Sequence, residues 1–239
     1  MPSPARAALI TAVLAGALSA PAAAMTQNQE VDYLFKLGLL EGHMMVGHEL
    51  LAANKPGLAL PHFGHPVREL YDDIAGFVTE KRLAPFDTEL IKLEAAVAGT
   101  PNTPETEALY QTALNSVHRA RQAAPASIRA SVPAMIKICA DTIDAAAGEY
   151  GESLNRGRID AIVEYHDSRG YISYAQQETE ALLKANPDPA SQSTLGRLKD
   201  VLAKAKWIVD PLLPAATPRA SVGQYRTVAS EAAAIAAGK

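Results

Sequence analysis

Residues 34–51 read LFKLGLLEGHMMVGHELL, and this stretch decides the fold class. Its apolar residues recur at helical spacing and cover nearly the whole circumference, which is typical of a helix buried at the centre of a protein. The glycines Gly38, Gly42 and Gly47 each destabilise such a helix by about 1 kcal/mol relative to alanine. Close approach of a second helix, or space for a ligand, would offset that cost.

The rest of the chain is also helical in pattern, because no segment alternates with the period of two that marks a strand. Proline, glycine and asparagine separate the helical segments. We predict helices over 29–53, 58–81, 87–97, 104–123, 127–154, 156–185, 190–210 and 218–237. The short links favour antiparallel neighbours, with 31–53 and 58–81 as one pair. The predicted fold is all-α, either a helical bundle or a stack of antiparallel helical hairpins.

Residues 1–24 have the pattern of a cleaved secretory signal peptide. Arg6 supplies a positive start, residues 7–18 are apolar, and alanines occupy 22–24 at the cleavage site. The apolar run is shorter than the ~20 residues of a membrane span. No cysteine stands at the cleavage point to carry a lipid. We therefore expect a periplasmic or secreted protein with no membrane anchor.

The expected mature chain, residues 25–239, reads as one all-helical domain with a candidate internal division near 99–104. Its last segment, 228–237, is rich in alanine and has little to bury, so we expect it to pack loosely. The single cysteine, Cys139, excludes an intramolecular disulfide. A formal net charge of −4 gives no reason to expect nucleic-acid binding.

Four of the six histidines fall between residues 43 and 65, and carboxylates flank them. Imidazole and carboxylate groups are the ligands of transition-metal sites. At about 100° per residue, His62, His65 and Glu69 share one helix face. Glu41 and His48 lie within about 20° of each other on the preceding helix. We expect these two groups to converge, although a solvated polar face is the plainer interpretation.

Two further histidines remain open to both interpretations. His43 points away from Glu41 and His48 and fits a hydrogen-bonded core histidine as well as a ligand. His166 faces the core side of a later helix, where it would either complete the metal site or bond to a tyrosine or a carboxylate. The full set of candidate ligands is Glu41, His43, His48, His62, His65, Glu69 and His166. Mixed imidazole and carboxylate ligation suits iron or zinc, and the neighbouring Met44 and Met45 leave copper open.

In size, export signal and helical content the chain resembles the imelysin and M75-type periplasmic proteins, which are linked to iron uptake. The resemblance implies an iron-associated role. The Gly-x-His-x-x-Glu motif of that family does not occur here. Gly42-His43 lacks the glutamate, and after Gly64-His65 the glutamate, Glu69, comes one residue too late. We therefore carry over no functional residue from the family.

The favoured function is that of an exported, non-enzymatic metal-binding protein that takes up, buffers or delivers iron, zinc or copper. Its partner would be a membrane transporter or another periplasmic protein. One alternative is a helical scaffold that binds a protein or peptide and has structural histidines. Another is a haem- or metal-dependent enzyme. The sequence contains no phosphate loop, nucleophile elbow or HExxH motif, which counts against hydrolases and nucleotide enzymes.

Overall fold

The computed structural model describes residues 25–239, which are mostly helical. The helices are α1 (Gln27–Ala52), α2 (Pro56–His65), α3 (Tyr71–Glu80), α4 (Asp87–Gly99), α5 (Pro104–Gln122), α6 (Ala126–Arg129), α7 (Val132–Glu152), α8 (Ile162–Ala185), α9 (Pro189–Ile208) and α10 (Val222–Ala236). A π-helix (Pro66–Leu70) joins α2 to α3, and the strands β1 (Leu154–Asn155) and β2 (Arg158–Ile159) pair antiparallel. The all-α prediction is confirmed. The predicted signal peptide lies outside the described residues.

Within residues 25–239, no helix is long and apolar enough to cross a membrane. The predicted helix 127–154 divides at Ser131, whose side chain caps α7, and Pro133 lies in the first turn of that helix. The predicted helix 156–185 begins only at Ile162, because Arg156 and Gly157 turn the chain with positive φ angles of 50° and 75°. Those two boundaries were wrong.

Helix α1 is the central helix, as its apolar circumference predicted. It packs against α2, α5, α7 and α8. Gly47, near its end, contacts Phe63 of α2, while Glu30, near its start, pairs with Lys81 just after α3. The segment 56–80 therefore runs antiparallel to α1, as predicted.

Helices α7, α8, α9 and α10 form a four-helix bundle in which each helix packs against two neighbours. Helix α1 lies against α7 and α8. The expectation that the last segment packs loosely was wrong, because α10 buries Tyr225, Val228, Ala229 and Ala232. The small alanines let this helix approach α7 and α9. Residues 100–103 form the turn between α4 and α5, and the internal division near 99–104 stays a prediction.

The backbones of α1 and α8 touch where they cross. A Cβ atom added to Gly170 would lie 2.3 Å from the carbonyl oxygen of Gly42, and one added to Gly42 would lie 2.9 Å from the ring of Tyr171. Close approach therefore accounts for Gly42 in the middle of a helix. The crossing brings His43, the next residue of α1, against α8.

The π-helix between α2 and α3 changes the direction of the side chains that follow Pro66. The backbone N–H of Tyr71 donates to the carbonyl oxygen of Pro66, five residues earlier. The wider turn holds one extra residue, so helical angles counted from His62 no longer apply beyond Pro66. The segment predicted as one helix over 58–81 is therefore made of α2, the π-helix and α3. The helix faces of α3 are rotated relative to those of α2. Such π-turns are frequent at functional sites.

Candidate metal centre

Three histidines of the N-terminal hairpin surround the carboxylate of Asp167, which lies on α8. The Nδ1 atoms of His43 and His62 are each 2.7 Å from Oδ1, and the Nδ1 atom of His65 is 3.4 Å from Oδ2. His43, His62 and Asp167 are buried, whereas the His65 side chain is 22% exposed. The cluster therefore meets solvent at His65.

His43, His65 and Asp167 have the spacing of ligands to one metal ion. Each offers one ligand atom, and these atoms all lie within 4.8 Å of one another. Two imidazoles and one carboxylate are the donors of many non-haem Fe(II) sites, which keep further coordination positions open. The chemistry of the donor set therefore fits a transition metal.

The His43 ring lacks a satisfactory partner on the side that faces Asp167. Its Nε2 atom lies 2.9 Å from the hydroxyl oxygen of Tyr171, which fixes the orientation of the ring. Its Nδ1 atom is only 2.7 Å from Asp167 Oδ1, yet it makes no aligned hydrogen bond with any described residue. An unsatisfied buried polar atom is costly. A cation bound to both atoms would remove that cost.

His62 has a different role, because its Nδ1–H donates a well-formed hydrogen bond of 2.7 Å to Asp167 Oδ1. Burial lowers the pKa of His62 despite the opposing effect of Asp167, so the ring is neutral at neutral pH. Hydrogen bonds of this kind orient the ligands of metal sites and tune their basicity. His62 is therefore placed to hold the carboxylate in position.

Asp167 is ionised in spite of its burial. Burial raises its pKa, but the neighbouring His43, His62 and His65 outweigh that effect and hold the pKa well below its usual range. The hydrogen bond to Asp167 is also the main cause of a raised pKa at His65, against the effect of burial. A buried anion beside a neutral His62 ring favours a cation at the cluster.

Further carboxylates lie near the cluster and make its surroundings negative. Burial, and then the charges of Asp167, Glu152, Glu164 and Glu69, raise the pKa of Glu149 on α7 to about 7. Glu69 is 4.0 Å from His65 Nε2, and its side chain is 61% exposed. Clustered negative charge raises the local concentration of cations.

Of the predicted ligands, the structure brings His43, His62 and His65 together and places Glu69 at their edge. His166 packs behind His62, with the two ring centroids 5.4 Å apart. Whether any of these residues binds a metal stays a prediction.

Glu41 and His48 do not join this cluster, so the expected convergence with them was wrong. Glu41 accepts hydrogen bonds from His118 and Gln177, and His48 pairs with Glu107 at 2.8 Å. The two residues do share one side of α1, but that side meets α5, which carries Glu107 and His118. His43 was expected to point elsewhere, and it points toward Asp167.

Sequence reasoning missed Asp167 and Tyr171 as members of the site. Both lie in the stretch 165–172, which reads YHDSRGYI and is buried at every position. Because this polar stretch is buried at every position, other helices must contact it on all sides. The available signal was the pair of small residues Ser168 and Gly170, which is typical of a close helix crossing.

Residues 125–238 match the family model of the iron permease-associated 4-helix bundle domain. The match spans α6 to α10 and so includes the four-helix bundle. It fits a helical, iron-associated protein and indicates an iron-uptake context. It does not confirm the resemblance to the imelysin and M75-type proteins. Comparison with curated proteins and with solved structures gave no match.

The candidate centre combines residues from inside and outside the matched segment. Asp167, His166 and Tyr171 lie within it, whereas His43, His62 and His65 precede it. The matched segment therefore contributes the α8 side of the centre, and the three histidines of the Asp167 cluster lie outside it.

Proposed function

We propose that this protein binds ferrous iron at His43, His65 and Asp167 and serves iron uptake as an exported carrier or buffer. His62 holds the carboxylate, and Tyr171 holds the His43 ring. The observation that carries the proposal is the His43 Nδ1 atom, which is 2.7 Å from Asp167 Oδ1 without an aligned hydrogen bond. A cation bound by both atoms, at about 2 Å from each, would satisfy the His43 nitrogen.

The donor set favours Fe(II) over the other metals that the sequence left open. Two imidazoles and a carboxylate leave coordination positions for water or for a ligand from a partner, which suits an ion that must be released. A structural zinc site would use four protein ligands. The iron context of the matched domain supports the same choice.

Release to a membrane transporter is the second part of the proposal. His65 is the exposed edge of the cluster, and Glu69 stands beside it. A partner would therefore reach the ion from this side. The signal-peptide pattern of residues 1–24 supports a periplasmic or secreted location, and the iron permease context supports a transporter as the partner.

Anaerobic titration of untagged protein with Fe(II) tests the proposal, with bound metal counted by elemental analysis. We expect the His65→Ala variant to lose affinity at least tenfold, as is typical when groups of a metal site are removed. His48→Ala is the matched control, because His48 also lies on the hairpin but pairs with Glu107. Equal Fe(II) binding by parent, His65→Ala and His48→Ala would overturn the proposal.

A further inference from the structure

A second pair of histidines, His62 and His166, lies behind the proposed iron site. Both residues have no exposed surface, and their ring centroids are 5.4 Å apart at an interplanar angle of 71°. His62 comes from α2 and His166 from α8. The two rings therefore meet where α2 packs against α8, next to the Asp167 cluster.

Each of these two rings uses one nitrogen and leaves the other without a partner. His62 donates Nδ1–H to Asp167 Oδ1 at 2.7 Å, and His166 donates Nε2–H to the carbonyl oxygen of Leu212 at 2.8 Å. Among the described residues, His62 Nε2 and His166 Nδ1 have no hydrogen-bond partner.

The hydrogen bonds of His62 and His166 are of the kind that metal-binding histidines make. A ligating histidine donates its second ring N–H to a carboxylate or a backbone carbonyl, which fixes the tautomer and aims the free nitrogen. Asp167 accepts this hydrogen bond from His62, and the carbonyl oxygen of Leu212 accepts it from His166. The centroid separation of 5.4 Å also falls within the span that two metal–nitrogen bonds of about 2 Å can bridge.

We propose that His62 Nε2 and His166 Nδ1 form a second metal site, which binds a cuprous ion. Two imidazole nitrogens in a buried position offer too few ligands for zinc, which takes four, and no oxygen ligands for calcium or magnesium. Copper accepts imidazole ligands, and its monovalent ion is stable with two of them. A single positive charge also loses less hydration on burial than a divalent ion does.

The competing occupant is one buried water molecule that donates a hydrogen bond to each free nitrogen. Buried waters commonly join polar groups that lack other partners. A water would satisfy both rings without any affinity for copper. The experiment must therefore separate copper binding at these two nitrogens from copper binding at the Asp167 cluster, and from no copper binding at all.

The test is an anaerobic titration with Cu(I) against a chromophoric Cu(I) chelator. His166→Gln removes the Nδ1 ligand and keeps an amide N–H that can donate to Leu212. We expect this variant to lose Cu(I) affinity about 100-fold, while His65→Gln, at the iron site, keeps it. His118→Gln is the matched control, because His118 is a half-exposed histidine that bonds to Glu41 on the other side of α1.

The proposal is overturned if His166→Gln binds Cu(I) like the parent, or if His65→Gln is the variant that loses it. The Fe(II) titration of His65→Ala measures the iron site independently. Either site can therefore be disproved without the other. Nitrogen-15 NMR of the unmodified protein covers the case in which His166→Gln does not fold. Cu(I) should shift the unprotonated nitrogens of His62 and His166, and unchanged signals would indicate the water-bridged arrangement.

Discussion

Asp167 is the residue on which the candidate centre depends, because its carboxylate contacts three histidines from another part of the chain. Its low pKa in the folded state means that the ionised form stabilises the fold. That contribution is fully present above the ordinary aspartate pKa of about 3.9 and is lost as the pH falls further. Acid should therefore loosen the contact between α8 and the N-terminal hairpin formed by α1 and α2.

The variant Asp167→Asn tests this contribution in metal-free protein. Asparagine keeps an acceptor for His62 but lacks the charge, so we expect a loss of about 1–3 kcal/mol in the free energy of unfolding at pH 7. The difference from the parent should shrink below about pH 4, because the Asp167 carboxylate of the unfolded parent binds a proton there while the folded one stays ionised. Urea unfolding at several pH values measures it, and a pH-independent difference would contradict the assignment.

Glu149 should have the opposite pH dependence. Its pKa is raised to about 7, first by burial and then by neighbouring carboxylates, so its ionisation opposes folding. Stability should fall as the pH rises from the ordinary glutamate range through 7. Because the side chain is partly solvated, we expect Glu149→Gln to gain only about 1 kcal/mol at pH 8. The gain should vanish near pH 4.5, which thermal melts at both pH values would reveal.

At the scale of elements, the crossing of α1 and α8 sets the geometry of the centre. Gly42 and Gly170 let the two backbones touch, and His43 and Asp167 lie beside that contact. His65, at the end of α2, reaches the same carboxylate, and the π-helix that follows changes the register at Glu69. The site thus depends on a close helix crossing that needs glycine at positions 42 and 170.

Gly170→Ala should separate the two helices. The new Cβ would lie 2.3 Å from the Gly42 carbonyl oxygen, which cannot move freely within its helix. We expect a loss of about 1–3 kcal/mol in stability, as in other overpacked contacts, together with weaker Fe(II) binding.

Gly196→Ala in α9 is the control for that variant. No described atom lies within 4 Å of the added Cβ, so the alanine should raise stability by up to about 1 kcal/mol. Urea unfolding and Fe(II) titration of both variants check the pair. Equal behaviour of the two variants would show that the crossing is not tight in solution.

At the scale of the whole molecule, a bound ion would join the N-terminal hairpin to the four-helix bundle. The proposed ligands lie on α1, on α2 and on α8. The ion would therefore link the hairpin to the bundle. A ligand that binds only the folded state adds about 2.7 kcal/mol of stability at a hundredfold excess over its Kd. Since Cys139 is the single cysteine, no intramolecular disulfide can supply a comparable link.

Chelation should therefore lower the melting temperature of iron-loaded protein at neutral pH. The effect should weaken as the pH falls below about 6.5, because a protonated imidazole cannot bind metal. At His65 the pKa is raised by Asp167, so protonation there competes with the metal at a somewhat higher pH. His65→Ala should melt at the same temperature with and without chelator, and a retained chelator effect would place the ion elsewhere.

The sequence by itself determined the all-α fold, the central position of α1 and the antiparallel hairpin that carries the histidines. These follow from local properties, namely the spacing of apolar residues, the capping residues and the short links. It also singled out His43, His62 and His65, although it expected Glu41 and His48 to join them. Helical angles tell which residues share a face of one helix, but they do not tell which helix covers that face.

Which groups meet at the site depends on the tertiary structure. His62 and Asp167 are 105 residues apart, and His43 and Tyr171 are 128 residues apart. Contacts over such separations depend on how helices cross, and here the crossing follows from backbone contact at Gly42 and Gly170. The π-helix after His65 changes the register of the chain, which no constant angle per residue can anticipate. For these reasons Asp167, at the centre of the site, could not be found from the histidine pattern alone.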